Sequence, residues 1–337
     1  MYIYWLTRNV LYGQQGNNLG IQVTLDTSKS TFLVAIVGPT ATGKSTLAVN
    51  IAKRFKGEVV SCDSTAVYKG FDIGTDKLSI LDRQGVPHHL IDVVDGSCSY
   101  SAAQYARDAT VAIKNITERG RLPIVVGGSG LYFRALTRGL FDGPGRDEQI
   151  RGRLVSIATK RGVEYLHHLV ERVDPVSARR IHRRDEKRLI RALEVYYLTG
   201  RPLTDHFGST RSPIESYDVI TLGLHLPPVD ISQRVRERVN EQFKRGIVDE
   251  IKGLLDGGLS RDSHPFGGLV YRQVLEYLDG VRNELETREL IVQENRRYAK
   301  RQLIWFRKEP NLRWISVAGE HPDAFQQAVS VFQSRLC

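Results

Sequence analysis

Cysteine is scarce in this 337-residue chain: Cys62, Cys98 and Cys337 are its only three. They show no C-x-x-C spacing and cannot all pair with one another. A disulfide framework and a thiolate zinc site are therefore excluded, and a reducing, cytoplasmic setting is expected. No apolar run approaches the roughly 18 residues that a membrane span requires. Residues 1–20 carry aromatics but no basic leader followed by a clean apolar stretch, so they do not read as a secretory signal; residues 1–30 are expected to be a loose tail. Internal repeats and low-complexity segments are missing as well. What is there, 41% hydrophobic and 26% charged residues, is ordinary globular composition, and the length suits two domains.

Charge is unevenly placed. Residues 146–191 hold 13 Lys/Arg against 7 Asp/Glu, and residues 291–308 hold 6 against 1. The formal net charge is +10, so these two stretches account for all of it. Basic charge gathered in this way is either an electrostatic footprint for a polyanion or a pair of solvated helical faces.

Apolar runs at residues 32–37, 59–62 and 123–126 alternate with helical periodicity at 45–55 and 101–118. A third strand is predicted over 89–94. Ser101 and Gln104 have the spacing of a capping box. Fully apolar strands alternating with helices predict a parallel sheet covered on both faces, with ligands beyond the carboxyl ends of the strands. From residue 146 to 207 the pattern is helical throughout, and 217–226 reads as a strand that returns to the sheet. Helices are expected at 230–255, 269–278 and 284–306, and a last strand at 312–317. The fold class is thus α/β, a P-loop-like parallel sheet core (31–142 and 215–325) with an α-helical insertion (143–214).

The most specific motif follows the first strand: Gly38, Pro39, Thr40, Ala41, Thr42, Gly43, Lys44 and Ser45 fit G-x-x-x-x-G-K-[ST]. Such a loop surrounds phosphate oxygens with backbone N–H groups, adds a lysine charge, and offers a hydroxyl to Mg²⁺. It usually holds ATP or GTP. A nucleotide hydrolase would also end a second apolar strand in a metal-holding acid, whereas PIVVGG ends in glycines. The carboxylate at that edge is Asp63, either a site residue or a helix cap. His88 and His89 have no third ligand at a metal spacing, and Cys62 reads as core filling.

In order along the chain, GPTATGKS, SCDSTAVYKGFDIGT, PHHLID, YSAAQYARDA, PIVVGGSGLYFRAL, DPVSARRIHRRDEKRLIRALEVYYLTGRPLT and RRYAKRQLIWFR resemble the tRNA dimethylallyltransferase family, the tRNA isopentenyltransferases, in its bacterial type. The match runs from about residue 32 to 314. The resemblance implies that the loop, a diphosphate- or nucleotide-binding site that is routinely labelled ATP-binding, cradles the diphosphate of dimethylallyl diphosphate. The five-carbon group would then go to N6 of the adenosine just 3′ of the anticodon. Asp63 would act as general base, Thr40 would stand beside the reacting groups, and Arg238, in Arg234-Val235-Arg236-Glu237-Arg238, would face the diphosphate. Ser45 would hold Mg²⁺.

By the same resemblance the tRNA anticodon stem-loop would meet Asp63, Ser64, Thr65, Ala66 and Ser129 at the everted base. Arg151, Lys187, Arg188, Leu189, Ile190 and Arg191 would meet it on the insertion, Tyr271 and Arg272 near the channel, and Lys300 and Arg301 would extend that surface. Where bacterial relatives show R-C-h-G-Y-R, this chain has Gly267-Gly268-Leu269-Val270-Tyr271-Arg272, which puts the base contacts there in question. A monomer without membrane association is expected. The rival readings are a prenyltransferase acting on free adenine nucleotides, a P-loop kinase, and a GTP switch that lacks the guanine-reading N-K-x-D.

Overall fold

A computed structural model describes residues 32–141 and 143–336; the tail expected over residues 1–30 lies outside the described residues. Among the described residues six strands form one parallel sheet: β1 (Phe32–Val37), β2 (Gly57–Ser61), β3 (His88–His89), β4 (Leu122–Gly127), β5 (Asp218–Leu224) and β6 (Leu312–Ile315). Their order is β3-β2-β4-β1-β5-β6, and every pairing is parallel. β1 shows why an unbroken apolar run becomes a central strand. Leu33, Ala35 and Val37 enter the core on one face of the sheet, while Val34 and Ile36 enter the core on the other. A two-residue period with both sets buried leaves no face for water.

The core helices are α1 (Lys44–Phe55), α2 (Ala102–Glu118) and α3 (Gly130–Arg138). The insertion follows with α4 (Glu148–Arg161), α5 (Val163–Val173), α6 (Pro175–Arg180) and α7 (Glu186–Thr199). The chain then returns through β5 to α8 (Pro228–Lys244), α9 (Ile247–Asp256), α10 (Leu269–Leu278), α11 (Glu284–Phe306) and α12 (Pro322–Leu336). α1 and α12 cover one face of the sheet; α2, α3, α8, α10 and α11 cover the other. The insertion has an apolar cluster of its own, built from Leu154, Leu166, Val170, Leu189 and Leu193 among others.

Two expectations need correction, and one helix is additional. The strand over 89–94 is cut to two residues because Leu90 and Asp92 take positive φ, 60° and 56°. The amides of Asp92 and Val93 turn instead to the carbonyls of Ala66 and Val67. The single helix expected over 230–255 is two, broken where Gly246 takes φ 87°. α12 was not anticipated, although Pro322 at its first turn and the apolar stripe Ala324, Ala328 and Phe332 announce it. By contrast Ser101 caps α2 through the Gln104 amide as its spacing predicts.

A buried carboxylate ties the base of the insertion together. Glu194, fully buried in α7, accepts from Arg151 at 2.7 and 3.0 Å, from Arg191 at 2.6 Å and from the Asp147 amide at 2.8 Å. Burial pushes its pKa up, but the hydrogen bonds from Arg151 and Arg191 outweigh that and hold it at about 2. Arg191 also donates to the carbonyl of Pro144 at 2.8 Å. Among the described residues no helix is long and apolar enough to cross a membrane.

Candidate active site

Because all strands run the same way, the segments leaving β1, β2 and β4 emerge at one edge of the sheet. These are the loop Gly38–Ser45, the turn at Asp63, and Gly127-Gly128. The loop closes on itself: the Thr42 hydroxyl donates to the Pro39 carbonyl at 2.9 Å, and the Lys44 ammonium donates to the same oxygen. Desolvation, followed by the nearby Arg238 guanidinium, lowers the pKa of Lys44 to about 7, with Asp63 opposing. A bound phosphate group would reverse that by giving the ammonium a counter-charge.

Asp63 is held as a site residue with one oxygen spare. Its Oδ1 accepts from the Thr65 amide at 2.8 Å, the Thr65 hydroxyl at 2.7 Å and the Ala66 amide at 3.3 Å. Its Oδ2 takes no partner among the described residues, so the carboxylate closes a turn, with no helix there to cap, and keeps a free acceptor. β4 ends in glycine rather than acid for a steric reason. A Cβ on Gly127 would stand 2.0 Å from the Cys62 carbonyl oxygen, and one on Gly128 would stand 2.2 Å from Gln302 Nε2.

Two helices close the site. On α8, Arg234, Arg238 and Gln242 recur every fourth residue and so share one stripe, while Ile231, Val235 and Val239 are buried in the core. Arg238 donates to the Thr40 hydroxyl at 2.7 Å and pairs with Asp76 at 3.0 Å. Gln242 holds Asp76 Oδ2 at 3.1 Å. Burial raises the pKa of Asp76 despite the Arg238 and Arg245 charges that lower it. On α11, Gln302 accepts from the Thr40 amide and donates to the Gly128 carbonyl, both at 2.9 Å. It thereby ties the loop to the end of β4.

The result is a channel in two chambers. One, of about 280 Å³, is lined by the phosphate loop with Asp63, Asp76, Arg238 and Tyr298. The other, of about 450 Å³, shares Thr40, Asp63, Asp76, Arg238 and Tyr298 and continues to Gly267, Gly268, Arg272 and Arg301. A group held in the loop and a group entering from the second side would meet at Asp63 and Thr40.

Sequence reasoning placed Gly38–Ser45, Thr40, Asp63 and Arg238 where the structure gathers them. It missed Asp76, Gln242, Tyr298, Gln302 and Glu320, which the folding of distant segments brings in. Several residues expected at the RNA are placed otherwise. Tyr271 is 1% exposed, its hydroxyl donating to Glu250 at 2.7 Å and accepting from the Gly74 amide at 3.1 Å. Leu189 and Ile190 are buried in the insertion core. Leu189 and Ile190 thus pack inside the insertion, while Tyr271 lines the second chamber with little of its surface open. Ser129 is buried too, its hydroxyl accepting from the Ser64 amide at 3.0 Å, so it staples the Asp63 turn to β4. Arg151 and Arg191 spend their guanidinium groups on Glu194. Lys187, Arg188, Lys300 and Arg301 are exposed, and Arg272 faces the second chamber paired with Glu294 at 2.9 Å.

Among the described residues no group of three or more His, Cys, Asp or Glu is arranged to hold a metal ion. A resident metal would lack ligands here. A Mg²⁺ arriving with a diphosphate would not, because phosphate oxygens and water complete its shell and the Ser45 hydroxyl, on the chamber wall, has no hydrogen-bond partner among the described residues.

The sequence profile of the IPP transferase family matches residues 66–309. The tRNA dimethylallyltransferase of Geobacter sulfurreducens is 44% identical over 301 residues, covering 89% of this chain and 96% of that protein. The one from Solibacter usitatus is also 44% identical over 301 residues, covering 88% and 96%. Among solved structures, the full-length tRNA isopentenylpyrophosphate transferase of Bacillus halodurans is 39% identical, with a TM-score of 0.66, covering 90% of this chain and 96% of that one. A eukaryotic dimethylallyltransferase described as acting on tRNA is 27% identical, with a TM-score of 0.75, covering 91% and 80%.

Proposed function

The chain belongs to the IPP transferase family, and on that premise we propose that it transfers the dimethylallyl group of dimethylallyl diphosphate to N6 of the adenosine immediately 3′ of the anticodon in tRNA. The observation that carries this reading is the pair of chambers meeting at Asp63, one lined by the phosphate loop and the other open beside exposed Arg301 and Arg272. The enzyme is a tRNA prenyltransferase; the donor's identity and the residue roles below are our assignment, as are a cytoplasmic location and a monomeric state.

An adenine amino group is a weak nucleophile because its lone pair is delocalised into the ring. An allylic carbon answers that weakness, since its C–O bond breaks readily once the departing charge is stabilised. In the cradle the backbone N–H groups of the loop, Lys44 and Arg238 stabilise the diphosphate as it takes the electron pair. Mg²⁺ held by Ser45 would supply further neutralisation of that charge. N6 bonds to the carbon, and its proton passes to the spare Oδ2 of Asp63. Thr40, fixed by Arg238 at its hydroxyl and Gln302 at its amide, lines both chambers where the bond changes. Turning the base out of an anticodon loop costs less than out of a duplex, and the exposed basic residues of the insertion offset part of that cost.

The test is prenyl transfer to an anticodon stem-loop against free AMP, ADP and ATP, read by mass spectrometry of the nucleoside. A dimethylallyl adduct on the stem-loop adenosine is expected, with little on the nucleotides. Preferential modification of a free nucleotide would replace this assignment with a nucleotide prenyltransferase.

A further inference from the structure

The phosphate loop is of the kind that usually takes a nucleoside triphosphate, so something here must favour a shorter anion. Glu320, in the loop that joins β6 to α12, lies directly on the cradle. A Cβ built on Gly43 would stand 2.5 Å from its Oε2 and 2.7 Å from its Oε1. The carboxylate is fixed there from two directions. Arg234 binds it at 2.7 Å while donating through Nε to the Ala41 carbonyl at 2.7 Å. The preceding residue, Gly319, donates its amide to the Thr42 carbonyl at 2.9 Å, and a Cβ at Gly319 would stand 2.0 Å from the Gly43 carbonyl oxygen. Glu320 lines the chamber of the phosphate loop and not the second chamber, so it stands away from the wall where Asp63 and Thr40 meet the acceptor.

Local charge sharpens the point. Lys44, Lys77 and Arg238 line this chamber, and Arg234 braces the loop from behind through the Ala41 carbonyl. Arg234 is paired with Glu320, Arg238 with Asp76, and Lys77 with Asp72 and Asp92, which leaves Lys44 as the lining cation without a carboxylate partner among the described residues. A nucleoside triphosphate brings one phosphoryl group more than the diphosphate and gains no matching cation. Resting on the assignment of a diphosphate donor, we propose that Glu320, braced by Arg234, is a specificity-determining residue: it meets a third phosphate with like charge and confines the cradle to diphosphates.

Calorimetric titration of the full chain with Mg·ATP, and separately with Mg·pyrophosphate, tests this without any prenyl transfer. Glu320→Gln keeps a hydrogen-bonding group for Arg234 and removes the charge. Its affinity for Mg·ATP is expected to rise about tenfold, as removal of one nearby like charge allows, while its affinity for pyrophosphate changes by less than about twofold. An unchanged ATP affinity, or an equal rise for both ligands, would overturn the proposal. Glu320→Ala, which leaves Arg234 free, is expected to favour ATP further; a variant that instead loses ATP would also count against it. Wild-type transfer to the stem-loop is scored separately, so a wrong donor assignment and a wrong role for Glu320 give different results.

Discussion

Asp63→Asn is expected to slow the chemical step by about 10²–10⁴, the usual range for loss of a positioned base, while donor and stem-loop still bind. Asparagine is the informative replacement because Asp63 has two duties. Its Oδ1 organises the turn through Thr65 and Ala66, and an amide oxygen can continue that duty. Its Oδ2 is the acceptor left for the proton, and an amide nitrogen cannot perform that role. Asp63→Ala removes both and should add a loss of stability of about 1 kcal/mol, typical of a hydrogen-bonding group withdrawn from its partners. Single-turnover kinetics with both substrates bound separate the two effects. Near-normal turnover in the asparagine variant would take Asp63 out of the proton transfer.

The second large effect concerns the insertion. Lys187→Glu with Arg188→Glu is expected to weaken stem-loop binding by at least about tenfold at moderate salt. It should also reduce the slope of log affinity against log salt by about 2, one for each lost phosphate contact. Both side chains are exposed on the first turn of α7, and among the described residues the Arg188 guanidinium pairs only with half-buried Asp185, at 3.3 Å, so the fold should tolerate the change. Arg191→Glu is a different experiment. It would set a second carboxylate against buried Glu194 and remove the link to the Pro144 carbonyl, so its expected result is an unstable insertion. Fluorescence titration of labelled stem-loop across a salt series measures the first variant, and thermal unfolding the second. A salt slope unchanged by the double reversal would remove the start of α7 from the RNA surface.

The contrast between Arg188 and Arg191 shows what a sequence can and cannot convey here. The phosphate loop was legible because its chemistry is local: glycines, a lysine and a hydroxyl stand in one run between a strand and a helix. Asp63 was legible as the carboxylate at the same sheet edge. A motif does not say which way its side chains face. Leu189, Ile190 and Leu193 form a helical apolar stripe, and that stripe, weighed above motif membership, would have placed the first two in the core. Tyr271 shares the buried stripe of α10 with Val274 and Leu275, but the partners of its hydroxyl, Glu250 and Gly74, arrive from elsewhere. Asp76, Gln302 and Glu320 were invisible for the same reason. Each reaches the cradle through contacts spanning many tens of residues or more, such as the bond from the Thr40 amide to Gln302. The two broken elements failed locally instead: positive φ at Leu90 and Asp92 is unusual for such residues, whereas Gly246 was a signal that helical periodicity on either side concealed.

The account stands on a leaving diphosphate gripped in one chamber and an acceptor base presented to Asp63 from the other. Its most direct test is the rate at which the purified protein releases pyrophosphate from dimethylallyl diphosphate, measured with and without anticodon stem-loop RNA. Release that is slow alone, rises sharply with the stem-loop, and matches the prenylated adenosine formed is the expected result. Release at the same rate whether or not RNA is present would contradict it.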